Sequence, residues 1–191
     1  MKNTKTLIWS FILLVFIAAI YRIIPGRPYG FAPQWAMAIF AGAVISNKKL
    51  AFIMPVLSMF ISDMFYQLLY MGGLYDMSGF YEGQWQNYVL FALLVFIGFA
   101  INKINVINIG AASVVAPTVY FLLSNFLVWS GTGTRGLGRP KTLNGLLLCY
   151  SDGVPFYLTS ISATLVFSAI LFGTFLLIRQ AGQRLPIKNV S

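Results

Sequence analysis

The chain has 191 residues, of which 59% are hydrophobic and 9% are charged, and its mean hydropathy is +0.80. Soluble domains of this size are far less apolar, so the composition indicates an integral membrane protein. Lys and Arg outnumber Asp and Glu by 13 to 4, but they stand at the ends of apolar runs, where basic residues set membrane topology rather than bind nucleic acid. With no histidine and a single cysteine, the chain lacks the usual ligands for a metal or haem, and we expect no cofactor.

Six apolar stretches approach the roughly 20 residues that a transmembrane helix needs. They cover residues 7–24, 31–46, 50–71, 87–101, 106–130 and 154–178. A secretory signal is an alternative for the first stretch, but its length and the second stretch that follows almost at once favour an uncleaved anchor. The sequence therefore predicts an all-α membrane protein in which residues 1–191 form one integral domain, a bundle of six transmembrane helices.

Basic residues predict the orientation of this bundle. With the N-terminus inside, the inner segments hold eight Lys and Arg residues and no acidic residue, and the outer segments hold five basic residues. We therefore expect an N-in, C-in, multi-pass protein of the bacterial cytoplasmic (inner) membrane. The longest outer connection, residues 131–153, is too long for a tight turn, and its segment 143–150 fits a short interfacial or re-entrant helix.

Asp63 is the most informative polar residue within a predicted span. A charged group inside a bilayer is costly unless it faces protein or water, so this side chain is expected to face the interior of the bundle. Tyr66 and Gln67 follow at i+3 and i+4 and share its helical face. One interpretation is a binding role. The other is that Asp63 pairs with an arginine such as Arg22 to hold two helices together, and the two roles are compatible.

Other amides, aromatic rings and charges fall at the same predicted outer level. Asn125 and Trp129 are spaced i, i+4 near the outer end of the fifth span, Gln34 and Trp35 lie at the outer end of the second, and Asp152 precedes the sixth. Amides commonly join neighbouring helices and tryptophans commonly lie at the membrane interface, which are the ordinary alternatives. Their convergence at one level favours an aromatic-lined pocket for a small ligand. The predicted substrate-binding residues are Arg22, Gln34, Trp35, Asp63, Tyr66, Gln67, Asn125, Trp129 and Asp152.

Motifs of catalysis are absent from the sequence. It contains no Gly-x-x-x-x-Gly-Lys-Ser/Thr phosphate loop and no nucleophile elbow, and Asp63 is the only acidic residue well inside a predicted span. The glycine-rich run over residues 131–141 follows no strand and fits a flexible connector better than a phosphate loop. We therefore expect no enzyme activity and no catalytic residues.

Several short strings occur in an order that resembles an uncharacterised family of small bacterial membrane proteins described as transport proteins. The resemblance spans residues 20–175, and its most specific element is the string from Ser124 to Trp129. The strings are Arg22-x-x-Pro25, Phe31-Ala-Pro, Ala38-x-Phe40-Ala-Gly-Ala, Pro55 with Ser62-Asp63, Ser124-Asn125-Phe126-x-Val128-Trp129, Gly145 to Tyr150, and Pro155-Phe156.

More remotely, the layout of six spans with an acidic residue late in the third resembles the S components of energy-coupling-factor (ECF) importers. This resemblance implies a substrate-capture subunit that takes a small molecule, similar to a vitamin or cofactor precursor, from the outer face. It also implies a transmembrane coupling subunit and ATPases as partners. In S components the small-residue pairs that dock onto the coupling subunit lie on the first span, whereas here Ala32 with Ala36 and Ala38 with Gly42 lie on the second. The alternative is a scaffold subunit that binds other membrane proteins and no small molecule.

Overall fold

The computed structural model describes residues 2–131 and 138–184, with side chains over 12–131 and 138–180. Within these residues the chain is all-helical, as predicted, and contains no strand. The predicted connector over 131–141 lies largely outside the described residues, as does Lys188 of the basic C-terminal tail used to predict the orientation. The six helices are α1 (Lys2–Ile23), α2 (Gln34–Val44), α3 (Lys48–Met71), α4 (Gln84–Phe99), α5 (Val106–Ser130) and α6 (Leu143–Arg184).

Three of the described helical segments are long and apolar enough to cross a membrane, namely α3, α5 and residues Leu143–Gln180 of α6. Large apolar side chains on these helices stay mostly exposed, among them Met71, Val106 and Leu177. Apolar side chains on the outside are what a helical bundle presents to lipid. The chain is therefore a membrane protein.

Two helices begin at asparagines that the sequence places in short polar turns. The side chain of Asn47 accepts a hydrogen bond from the backbone N–H of Leu50 (3.2 Å) at the start of α3. Asn105 accepts one in the same way from the N–H of Asn108 (2.8 Å) at the start of α5. Because each side chain satisfies a free N–H of the first helical turn, these positions fix where the two helices begin.

α2 lies at the centre of the bundle, packed by α3, α4, α5 and α6. Its 11 residues are rich in alanine, and Gln34 through Ile39 are all buried. Small side chains let neighbouring helices approach closely, as α2 and α4 do at Gly42 and Gly98. A Cβ atom at Gly42 would lie 2.3 Å from the carbonyl oxygen of Val95, and one at Gly98 would lie 2.3 Å from that of Ile39. Both positions therefore require glycine unless the two backbones move apart.

α6 differs from its prediction, because the segment 143–150 and the span 154–178 belong to one continuous helix of 42 residues. At 1.5 Å per residue this helix is about 63 Å long, roughly twice the hydrocarbon thickness of a bilayer. The sequence places Pro155 near the start of a span, whereas in the structure this proline lies inside the helix. Just before it, Gly153 lets α6 approach α5, since a Cβ there would lie 2.8 Å from Oδ1 of Asn125. Packing against α5 thus supports the helix through two residues that favour a break.

Polar side chains gather at one end of the bundle, where α1, α3 and α5 finish and α2 and α4 begin. We call it the Asp63 end, because Arg22 of α1 and Gln84 of α4 both contact Asp63 of α3 there. The turns at the opposite end carry Lys48 and Lys103. The two ends of the bundle therefore differ in charge, and the contacts of the Asp63 end join three helices.

Candidate functional site

Asp63 is buried, with 1% of its surface exposed, and both of its carboxylate oxygens accept hydrogen bonds from the protein. Oδ1 accepts from Nη1 of Arg22, while Oδ2 accepts from Nε2 of Gln84 and from the Tyr88 hydroxyl (2.7 Å). Arg22 Nη1 also donates to Oγ of Ser62 (2.5 Å). The pairing of Asp63 with Arg22 that the sequence left as one interpretation is present in the structure. Because charge-assisted bonds satisfy the buried carboxylate, Asp63 holds α1, α3 and α4 together.

A second set of hydrogen bonds continues from Gln84 to α5. Oε1 of Gln84 accepts from Nδ2 of Asn87 (2.8 Å), and Oδ1 of Asn87 accepts from the Tyr120 hydroxyl (2.8 Å). The Tyr120 ring meets the indole of Trp35 edge to face at 5.5 Å. A continuous network thus runs from Asp63 through α4 and α5 to the first turn of α2, which fixes the position of Trp35.

Arg27, in the loop between α1 and α2, binds one carbonyl group in the last turn of α1 and another within the loop. Its Nε and Nη2 donate to the carbonyl oxygen of Arg22 (3.2 and 2.9 Å), and Nη1 donates to that of Phe31 (2.8 Å). The Tyr66 hydroxyl donates to the same Arg22 oxygen (2.6 Å) and accepts from Arg27 Nη2 (3.3 Å). Free carbonyls at a helix C-terminus favour a cation nearby. Arg27 therefore orders this loop, and within the described part of the chain it pairs with no carboxylate.

A cavity of about 310 Å³ opens at the Asp63 end, between the α1–α2 loop, the start of α2, α3 and the α3–α4 loop. This volume is at the lower end of the range for small-molecule sites. Five of the nine residues predicted to bind substrate line it, namely Arg22, Gln34, Trp35, Asp63 and Tyr66. The structure therefore brings together residues from three elements that are distant in the sequence.

Aromatic rings form much of the cavity wall. Tyr75 and Tyr81 of the α3–α4 loop line it together with Phe91 of α4. The rings of Tyr66 and Tyr75 lie 5.0 Å apart, and those of Trp35 and Phe91 lie 5.3 Å apart. Burial raises the pKa of the Tyr75 phenol above its ordinary value, so this phenol stays neutral at physiological pH. The wall thus offers flat apolar faces together with phenol hydroxyl groups.

Two buried polar atoms beside the cavity have no hydrogen-bond partner among the described residues: Oε1 of Gln34 and Nε1 of Trp35. The other end of the Gln34 amide is engaged, since its Nε2 donates to the Ala18 carbonyl (3.3 Å) and to Oγ of Ser58 (3.4 Å). Only 1% of Gln34 and 8% of Trp35 is exposed. An unpaired buried polar group costs about 1–3 kcal/mol. The first turn of α2 therefore carries one buried acceptor and one buried donor that have no partner among the described residues.

The α3–α4 loop is fastened onto α3 beside the cavity. A Cβ atom at Gly79 would lie 1.8 Å from the carbonyl oxygen of Asp63, so the loop backbone rests directly on the helix. The N–H of Phe80 donates to Oε1 of Gln67 (3.3 Å). Gln67 was predicted to bind substrate, but it is not among the cavity-lining residues. Its side chain instead holds the loop that forms one wall of the cavity.

Replacing Gly79 with alanine is expected to lift this loop from α3, because the new methyl group would overlap the Asp63 carbonyl. Amide hydrogen exchange over residues 74–82 measures the change, and we expect faster exchange than in the wild type. Gly72→Ala is the matched control at the start of the same loop, since a Cβ there meets no atom closer than 3.5 Å. Equal exchange in the two variants would show that Gly79 does not fasten the loop.

The remaining predicted residues lie on the α5–α6 side, away from the cavity. Nδ2 of Asn125 donates to the Phe121 carbonyl (2.8 Å), and Nε1 of Trp129 donates to that of Pro140 (2.9 Å). Asp152 forms an ion pair with Arg139, and both side chains are more than a third exposed. Exposed pairs of this kind contribute little stability. Trp129 therefore connects α5 to the segment before α6, Asp152 connects that segment to α6, and the bond of Asn125 lies within α5.

The described residues contain no cluster of three or more His, Cys, Asp or Glu side chains able to hold an ion. What the site offers is a cavity with aromatic walls beside an internally paired carboxylate. Such a site can hold a small molecule by stacking and hydrogen bonding.

Comparison with known proteins identifies a family but gives no function. No curated protein matches the sequence, and no solved structure matches it. A family profile matches residues 2–186, nearly the whole chain, which confirms the resemblance to an uncharacterised family. The chain therefore belongs to DUF6580, a family of unknown function.

Proposed function

We propose that this protein captures a small molecule at the outer face of the bacterial inner membrane and serves as the substrate-binding subunit for its uptake. The observation that carries the proposal is the cavity of about 310 Å³ lined by Gln34, Trp35 and several tyrosines. A cavity of this kind has the size and the mixture of aromatic walls and few polar groups that small-ligand sites share. We expect a molecule similar to a vitamin or cofactor precursor.

The proposed orientation follows from the charges of the two ends of the bundle. All six helices are taken as spans, with both termini inside. The turns opposite the Asp63 end carry Lys48, Lys49 and Lys103, and Lys and Arg favour the cytoplasmic side. The cavity then opens toward the outside, where a capture subunit meets its substrate.

Uptake in this proposal depends on other proteins. The sequence has no phosphate loop for ATP, so energy would come from ATPases acting through a transmembrane coupling subunit. The remote resemblance to ECF S components supports this arrangement, and the proposed role is transport without catalysis. The six-helix layout is compatible with it, whereas the position of the small-residue pairs on α2 differs from that of the S components.

The second candidate is a scaffold subunit that binds other membrane proteins and no small molecule. The engagement of both Asp63 oxygens by Arg22, Gln84 and Tyr88 favours it, because this arrangement is complete without a ligand. It leaves the cavity and the unpaired atoms of Gln34 and Trp35 without a role. For that reason capture is the proposal we favour.

Mass spectrometry of gently extracted protein separates the two candidates. We expect a small molecule to be retained in near-stoichiometric amount and to be released on denaturation. Copurification of ATPases and a coupling subunit would identify the importer form of the proposal. Protein that carries other membrane proteins but no small molecule, and binds none on incubation with cell extract, would instead support the scaffold.

A further inference from the structure

We propose that the end of the bundle opposite the Asp63 end binds an anionic phospholipid, with the headgroup at Lys48 and Lys103 and the acyl chains along α3 and α4. The proposal does not depend on the capture function or on which side of the membrane this end faces. It starts from the distribution of charge. All four acidic residues of the chain lie at the Asp63 end, in α3, in the α3–α4 loop and near the start of α6. The charged side chains of the opposite end are therefore all basic.

These basic side chains have no carboxylate to pair with. Lys48 and Lys49 are exposed in the first turn of α3, and Lys103 is exposed in the turn before α5. Both ion pairs among the described residues lie at the Asp63 end. Because α3 and α5 are each long enough to cross a membrane, their first residues reach its surface, where lipid phosphates lie. Unpaired lysines at that depth attract anionic lipids.

One contact places the two lysine-bearing turns next to each other. The ammonium group of Lys48 lies 5.7 Å from the centre of the Phe99 ring, in the last residue of α4. Lys103 follows Phe99 by four residues, in the turn that leads to α5. The turns before α3 and before α5 thus form one basic surface at the edge of the bundle.

Two stripes of exposed apolar side chains lead away from this basic surface. Each stripe repeats every three or four residues and so follows one side of its helix. The stripe on α3 is Ile53, Leu57, Phe60, Met64 and Leu68, and the stripe on α4 is Val89, Leu93 and Phe96.

Ring contacts show that the two stripes adjoin. The rings of Phe60 and Tyr88 lie 6.3 Å apart, and those of Phe52 and Phe96 lie 5.3 Å apart. The Phe52 ring also lies 5.5 Å from that of Phe99, the ring that the lysine ammonium contacts. A basic surface therefore continues into an apolar one, which matches the headgroup and acyl chains of an anionic phospholipid. A soluble phosphate would leave the apolar surface unused, and a zwitterionic lipid carries a cationic group that the lysines repel.

Lipid preference tests the proposal on the full-length protein in detergent. Phosphatidylglycerol and phosphatidylcholine with identical acyl chains are titrated separately, and bound lipids are counted by native mass spectrometry. We expect the affinity for phosphatidylglycerol to be about tenfold higher. Glycerophosphoglycerol, the headgroup without chains, should not compete. Equal affinities for the two lipids, or competition by the free headgroup at the same concentration as the lipid, would overturn the proposal.

Variants assign the preference to the lysines. Each lysine is expected to contribute about fivefold to the affinity for phosphatidylglycerol, so Lys48→Gln/Lys103→Gln should lose the preference. Both side chains are exposed, and we expect this variant to fold. Lys141→Gln is the control, because it removes a lysine at the Asp63 end; its preference should equal that of the wild type. A folded double variant with the wild-type preference would overturn the proposal.

Fluorescence quenching locates the bound lipid. Ile53→Trp places a fluorophore five residues from Lys48, and Leu68→Trp places one on the same stripe near the other end of α3, as the matched control. Signals are measured relative to the wild type. Brominated phosphatidylglycerol should quench Ile53→Trp at a lower lipid fraction than brominated phosphatidylcholine, whereas the two lipids should quench Leu68→Trp equally. Equal quenching of Ile53→Trp by the two lipids would overturn the proposed site.

Discussion

Asp63→Ala is expected to destabilise the protein severely, because it leaves the partly buried guanidinium of Arg22 without its carboxylate. The donors of Gln84 and Tyr88 lose their acceptor in the same step. Removing one partner of a fully buried ion pair costs about 3–5 kcal/mol, and the partial exposure of Arg22 places this variant toward the lower end of that range. The measurement is the thermal unfolding of purified protein in detergent, in which we expect a large drop in Tm and a lower yield.

Two further variants make this result interpretable. Asp76→Ala removes an acidic residue of the exposed α3–α4 loop and should leave Tm close to that of the wild type. The double variant Arg22→Leu/Asp63→Leu removes both charges and should recover part of the stability that Asp63→Ala loses. An Asp63→Ala protein as stable as the wild type would contradict the structural role of this residue.

Gly98→Ala is the second substitution with a large expected effect, because it forces α4 away from α2. The new methyl group would lie 2.3 Å from the carbonyl oxygen of Ile39 and 2.8 Å from Cα of Gly42. Overpacking of this kind costs about 1–3 kcal/mol. We expect a lower Tm. Because α2 is the central helix and carries Gln34 and Trp35, we also expect the shape of the cavity to change.

Gly110→Ala is the matched control for this prediction. Gly110 lies in α5, and a Cβ atom there meets no atom within 4 Å. Alanine is the better helix former by about 1 kcal/mol, so this substitution should leave Tm unchanged or raise it. The same chemical change is therefore expected to have opposite signs at the two positions. A lower Tm for Gly110→Ala than for Gly98→Ala would contradict the close α2–α4 crossing.

Much of the helical layout was predictable from the sequence, because apolar runs between polar turns leave little choice in a membrane. Helices α3 and α5 begin and end within two residues of their predicted spans. The exception is α6, where Gly153 and Pro155 resemble a break and the packing against α5 overrides them. Local propensity identifies such residues, but the contact that compensates for them lies on another helix.

The candidate site was predictable only in part. An acidic residue inside a span is costly, so Asp63 and its partner Arg22 stand out from the sequence alone. Gln84 and Tyr88 do not, because the roles of an amide and a phenol near a helix start depend on how α4 is rotated against α3. The sequence contains no direct signal for that rotation.

The same limitation explains why three predicted residues lie away from the cavity. The common level of Asn125, Trp129 and Asp152 specifies their depth along the bundle but not the direction in which they point. In the structure Trp129 and Asp152 join the segment before α6 to α5 and to α6, and Asn125 bonds within α5. Of the two compatible roles that the sequence left open for Asp63, the structure contains the pairing with Arg22, and Asp63 also lines the cavity.

The most direct test of capture at this cavity is mass spectrometry of the retained small molecule in the wild type and in Ala32→Leu. Ala32 is buried and lines the cavity, so leucine would fill part of it. Ala111→Leu, on the exposed side of α5, is the control. We predict that the wild type and Ala111→Leu retain the molecule and that folded Ala32→Leu loses it. Full retention by Ala32→Leu would contradict the assignment of this cavity as the capture site.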